Sequence, residues 1–93
     1  VDLRIIAVEE GQNRLADTMG ALVVDYKGHE LRVGSGFDDT TRAAVWANPD
    51  DYIGRIIEVK FKETTADKKT GIESLQFPTF VRFRNDKSEV SYG

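Results

Sequence analysis

Arg55-Ile56-Ile57-Glu58-Val59-Lys60-Phe61-Lys62-Glu63 alternates apolar and charged side chains over nine consecutive residues. Ile57, Val59 and Phe61 fall on one side of an extended backbone; Glu58, Lys60 and Lys62 fall on the other. A period of two belongs to a strand with one face on a core and the other in water. Whatever else this chain does, it builds a sheet.

Other segments extend that reading. Leu3-Arg4-Ile5-Ile6-Ala7-Val8 is short and β-branched, and Glu9-Glu10-Gly11-Gln12-Asn13 breaks it with turn residues. Gly20-Ala21-Leu22-Val23-Val24-Asp25-Tyr26 is apolar on both faces, as a central barrel strand would be. Lys27-Gly28 marks a tight hairpin, and Glu30-Leu31-Arg32-Val33-Gly34 is the returning strand. The period then changes. Asp38 or Asp39 can cap a helix over roughly residues 40–47, with Ala43, Trp46 and Ala47 on one face, and Asn48-Pro49 stops it. Thr64 to Glu73 is a polar excursion with the look of a mobile hairpin tip. A last strand runs from Thr79 to Arg84 after Pro78, with Val81 and Phe83 inward, and the polar residues 85–93 are expected to fray.

Five short strands with one helix between the third and fourth is the order of an OB-fold, a five-stranded Greek-key barrel. The fold class is therefore mainly β, and the 93 residues form one domain. Other small barrels share this strand count.

Composition narrows the chemistry. There is no cysteine and one histidine, His29, which excludes a disulfide framework, thiol catalysis and most zinc sites. No apolar run approaches the roughly 20 residues of a membrane span. No signal peptide is visible at Val1-Asp2-Leu3-Arg4, so a cytoplasmic, non-secreted location is expected, and the absence of an initiator methionine suggests a piece of a longer chain. The net charge of −3 hides a gradient: residues 1–47 hold 5 Lys/Arg against 8 Asp/Glu, and residues 55–93 hold 8 against 6. Such a distribution permits a local basic face.

Phe77-Pro78-Thr79-Phe80-Val81-Arg82-Phe83-Arg84-Asn85-Asp86-Lys87 carries the densest chemistry. In a strand Arg82 and Arg84 project from one face, with Lys87 just beyond. Two adjacent guanidiniums repel unless an anion lies between them. Phosphate is the natural match, because arginine offers a bidentate fork and lysine a point charge. A solvated strand edge, with Asp86 pairing a neighbour, gives the same pattern.

Arg84-Asn85-Asp86-Lys87, preceded by the Phe-Pro-x-Phe-x-Arg-Phe run, resembles the Arg-x-Asp-Lys motif that closes ATP-dependent DNA ligases of phage or bacterial type. The resemblance extends over essentially the whole chain. Asp2 to Gly11 is similar to the entry into the ligase OB domain. Gly20 to Val24, Val33-Gly34-Ser35-Gly36-Phe37, and Asn48-Pro49-x-x-Tyr52-Ile53-Gly54-Arg55-x-x-Glu58-Val59 follow in the family's order. The Lys-x-Asp-Gly motif with which these enzymes attack ATP is missing, so the chain resembles the C-terminal OB domain without the adenylation domain.

The resemblance implies a division of labour. The OB domain closes over ATP and Mg²⁺ held in the adenylation domain, and its last motif contacts the leaving phosphates during lysine adenylylation. It then turns another face to nicked double-stranded DNA. Carried over residue by residue, Arg84 and Lys87 orient pyrophosphate and Asp86 positions one of them. Arg82 lies outside the minimal motif and is assigned to DNA with Lys60, Lys62, Lys68 and Lys69. No cofactor is expected on this domain alone, and by itself it is expected to be inactive.

Alternative readings remain for the parent protein and for single residues. A free-standing OB module binding single strands, or the OB domain of an RNA-capping guanylyltransferase, shares part of the pattern. Gly34-Ser35-Gly36 is either a phosphate-cradling nest or a bend at the barrel rim. Asp38-Asp39 and Asp50-Asp51 fit helix caps and turns better than Mg²⁺ ligands. Trp46 fits a helix-to-barrel anchor better than a base platform. Phe61, Phe77, Phe80 and Phe83 cannot all be stacking platforms in so small a core.

Overall fold

A computed structural model describes residues 1–11, 17–85 and 89–92. The strands and helices are β1 (Asp2–Glu10), β2 (Met19–Tyr26), β3 (His29–Val33), α1 (Asp39–Ala47), α2 (Pro49–Tyr52), β4 (Ile56–Lys60), β5 (Glu63–Ala66), β6 (Glu73–Gln76) and β7 (Thr79–Phe83). Five of the strands form one antiparallel sheet in the order β3-β2-β1-β4-β7, and β5 and β6 form a separate two-stranded sheet. This is the mainly β, OB-type architecture that the alternation predicts, with a hairpin inserted between the last two barrel strands.

Register explains the core. Across β1, β4 and β7, Leu3 pairs with Ile57 and Ile57 with Phe83, all inward. Leu3, Ile5, Leu22, Val24, Val33, Val45, Ile57 and Val59 lose essentially all contact with water and close one apolar cluster. β1 serves two partners because it bends: the register shift between Ile5 and Ala7 leaves Ile6 at the surface. At the far edge the Phe80 amide donates to the Ser35 carbonyl at 2.8 Å, which brings the chain beyond β3 against β7 and curls the sheet on itself. Gly36 makes that approach possible, at φ +93° and with the Phe80 carbonyl directly beside it. The Gly34-Ser35-Gly36 run is thus a bend at the barrel rim.

Helix α1 covers one end of the barrel. The Asp38 carboxylate accepts from the Thr41 amide at 2.7 Å, an N-cap that also holds this carboxyl below its usual range. Pro49 ends α1 but opens the short α2. The inward face is not the expected one. Ala43 and Ala47 are exposed, while Arg42 and Val45 are buried and Trp46 is half-buried against the core. Arg42 goes inside because Nη1 donates to the Met19 and Gly20 carbonyls at 2.8 and 2.9 Å, and Nη2 to the Gly34 carbonyl at 2.8 Å. Its guanidinium also lies 5.4 Å from the Phe37 ring centroid.

Two further expectations are corrected, and one is met. Val81 does not point inward: it is the extra residue of a bulge, since Glu58 pairs with Arg82 but Val59 pairs with Phe80. The polar excursion after β4 is the expected hairpin, paired as β5 and β6, with Asp67 Oδ1 accepting from the Lys69 and Thr70 amides at its tip and Leu75, just beyond the excursion, reaching the core. Residues 89–92 do not fray. Ser91 exchanges two backbone hydrogen bonds with Asp2, at 2.7 and 2.8 Å, and Tyr92 packs edge-on against Tyr26.

Candidate nucleic-acid interface

The same register that places Leu3, Ile57 and Phe83 inward places Asp2, Glu58 and Arg82 side by side on the outer face. Arg84, one residue beyond β7, is held there by its amide, which donates to the Ile56 carbonyl at 2.8 Å. The anion between the two guanidiniums is Glu58. Its Oε1 accepts from Arg82 Nε at 2.8 Å and from Arg84 Nη1 at 3.2 Å. Arg84 Nη1 also donates to Asp2 Oδ1 at 3.3 Å. Two carboxylates and two guanidiniums are therefore linked in one network.

The two arginines are not equivalent in it. The Arg84 side chain is 18% exposed, lying against an Asp2 carboxylate that is 9% exposed, whereas Arg82 is 63% exposed. Arg84 is a half-buried brace, and Arg82 is the guanidinium that solvent meets. Asp86 and Lys87 lie outside the described residues.

The remaining sequence candidates separate into two places. Lys60 ends β4 two residues from Glu58, pairs with Thr79, and shares the outer face with Arg82. Lys62 follows at the root of the hairpin, its amide donating to the Gln76 carbonyl at 3.0 Å, and it is exposed. Lys68 and Lys69 are exposed at the tip of the β5–β6 hairpin, on the other sheet. Among the described residues no group of three or more His, Asp or Glu is placed to hold a metal.

Sequence reasoning did not foresee several features of this surface. Asp2 and Glu58 are legible only as charges until the register sets them beside the arginines. Phe77 is 67% exposed and sits at φ +54°, a left-handed conformation rare for an aromatic residue. Tyr26 and Lys27 both donate to Glu73 Oε2, the lysine at 2.6 Å, tying the hairpin to the β2–β3 turn. That shared contact holds the Glu73 carboxyl below its usual range, through Lys27 first and Tyr26 second, and raises the Tyr26 hydroxyl and the Lys27 ammonium.

The family profile of the DNA ligase OB-like domain matches residues 10–84, most of the chain, through Arg84 itself. The chain belongs to this family. Solved structures agree with it. Pmar-Lig_PreS3 is 34% identical with a TM-score of 0.78, over 89% of this chain and 20% of that one. A Chlorella virus DNA ligase-adenylate is 27% identical with a TM-score of 0.75, over 94% of this chain and 30% of that one. A Lig E DNA ligase is 26% identical with a TM-score of 0.69, over 89% of this chain and 29% of that one. This OB domain thus spans between a fifth and a third of the length of these ligases. No match was found among curated protein sequences.

Proposed function

We propose that this OB domain works within an ATP-dependent DNA ligase, engaging nicked duplex DNA and assisting adenylylation of the catalytic lysine. One observation carries the reading: the family match runs into Arg84, the first residue of the Arg-x-Asp-Lys motif, and the fold anchors that residue firmly. ATP and Mg²⁺ belong to the adenylation domain in cis, where the nucleotide supplies the adenylyl group.

The residues of this chain act on charge. Lys87 offers a point charge to the departing pyrophosphate, and cations at developing negative charge are the usual device for phosphoryl chemistry. Asp86 positions a neighbouring cation. Arg84, anchored just beyond β7, contributes its own charge where the domain closes over the nucleotide. Arg82, Lys60 and Lys62 face the DNA backbone, joined by Lys68 and Lys69 where the hairpin tip reaches it.

The test separates two steps of the full-length ligase. Lys87→Ala should slow self-adenylylation by about 10²–10³, the usual cost of losing one preorganised group at developing charge. Sealing of a nick that already carries its 5′-adenylate should suffer far less, because pyrophosphate has left by then. Equal losses in both steps would place the motif on DNA instead, and no loss in either would make it a charged strand end. The 93-residue chain alone, incubated with labelled ATP and Mg²⁺, should give no labelled protein band.

A further inference from the structure

Glu58 treats its two arginines differently. Arg84 meets it through a terminal nitrogen, Nη1, which also donates to Asp2. Arg82 meets it only through Nε, at 2.8 Å. Among the described residues the two terminal nitrogens of Arg82 have no hydrogen-bond partner. A guanidinium held by Nε alone keeps its outer edge free, and that edge is the fork that matches two oxygens of a phosphate.

We propose that Glu58 is a positioning residue that presents the Arg82 fork to a backbone phosphate of duplex DNA. The proposal rests on the DNA-engaging reading above and names how one contact of that face is made. Glu58 lies directly on the Arg82 guanidinium and offsets its charge, so this pair draws phosphate only weakly by net charge. Recognition then depends on the direction of the fork. Arg82 is a long side chain, 63% exposed, that would otherwise sample many rotamers, and Glu58 removes that freedom before the phosphate arrives. Lys60, on the same face, supplies an undirected positive charge beside it.

A merely neutralising role for Glu58 predicts the opposite sign from a positioning role. Glu58→Gln deletes a negative charge close to DNA, which by electrostatics alone strengthens binding. If Glu58 positions Arg82, the same substitution weakens it, because a neutral amide holds the guanidinium less firmly.

The experiment titrates the 93-residue chain into fluorescently labelled nicked duplex at several salt concentrations, with thermal melting of each variant beside it. Arg82→Ala should weaken binding by roughly tenfold, the scale of one charge-assisted hydrogen-bonded contact, and flatten the salt slope by about 0.9. Arg82→Lys keeps the charge but loses the fork, and should lose most of the same affinity. Glu58→Gln should weaken binding by roughly three- to tenfold, part of the cost of the contact it orients. Tighter or unchanged binding by Glu58→Gln overturns the proposal, as does wild-type affinity in Arg82→Lys. The latter decides the matter should Glu58→Gln fail to fold, since Arg82 is at the surface. Absence of salt-dependent duplex binding in the wild type would instead overturn the DNA-engaging reading itself.

Discussion

Ser35 and Phe80 are joined by a backbone hydrogen bond of 2.8 Å that links the end of β3 to β7. Next to it Phe37 stacks on Phe80 with ring centroids 4.5 Å apart. The residue between the two contacts is Gly36, where an added Cβ would overlap the Phe80 carbonyl and stand 2.8 Å from Thr79 Cγ2. Gly36→Ala should therefore cost about 2–4 kcal/mol, from its left-handed backbone plus overpacking against a main chain that cannot yield. Gly28→Ala is the control: φ is +88° but nothing lies within 4 Å, so only the conformational term of about 1 kcal/mol applies. Thermal melting of the two variants checks this, at roughly 4–8 °C per kcal/mol for a domain this small. Equal shifts would mean that barrel closure does not depend on this approach.

Arg42 gives the second prediction. Its side chain satisfies the carbonyls of Met19, Gly20 and Gly34 from inside the barrel end. Arg42→Met fills much of the same volume but leaves those acceptors without their donor, at a cost of about 2–4 kcal/mol. Arg42→Lys should fall between, since one ammonium on a flexible stem cannot reproduce a rigid fork. Urea denaturation measures the stabilities. Binding of nicked duplex by the folded fraction should be unchanged, because the β4–β7 ladder lies elsewhere.

Where the period of two runs undisturbed, the sequence is easily read, and Ile57, Val59, Glu58 and Lys60 face as their alternation implies. The reading fails at Val81 because a bulge is chosen by the partner strand, and nothing local to Thr79–Phe83 announces it. It fails on α1 because hydrophobicity ranks arginine as a surface residue. Only the three carbonyls at the ends of β2 and β3 make Arg42 an interior one. The docking of Ser91 and Tyr92 depends on Asp2, Lys27 and Tyr26, more than 60 residues away in the chain. At the candidate interface the spacing of Arg82 and Arg84 does announce a demand for an anion. That the anion is Glu58, braced by Arg84 and Asp2, is a matter of cross-strand register.

The hairpin should loosen in acid. Lys27 and Tyr26 stabilise the ionised form of Glu73 and so lower its pKa in the folded protein. A depressed carboxylate contributes stability that is fully present above its unfolded pKa and is lost as the pH falls through the folded value. Below about pH 4 the tie between the hairpin and the β2–β3 turn should therefore weaken. Amide hydrogen exchange in residues 63–66 and 73–76, relative to β1 and β2, measures it between pH 6 and pH 3. Glu73→Gln should exchange faster at pH 6 and show little further change on acidification. The same acid dependence in the variant would assign the effect to other groups.

Phe77 combines two liabilities for an ordinary turn residue, a left-handed φ of +54° and 67% exposure. Neither helps the fold. Asparagine tolerates that backbone better, so Phe77→Asn should leave stability unchanged or raise it by up to about 1 kcal/mol. Strained, exposed positions that persist are often reserved for a ligand, and Phe77 lies two residues before the strand that carries Arg82. An aromatic ring presented beside a phosphate contact can pack on a sugar or an exposed base, a contribution worth about 1–3 kcal/mol per base where it has been removed. Phe77→Asn should accordingly weaken binding of nicked duplex by about fivefold or more, without altering the salt slope, because no charge is lost. That combination, with stability kept, affinity reduced and slope unchanged, separates an apolar contact from the ionic one proposed for Arg82. Unchanged affinity would leave Phe77 as a strained turn and nothing more.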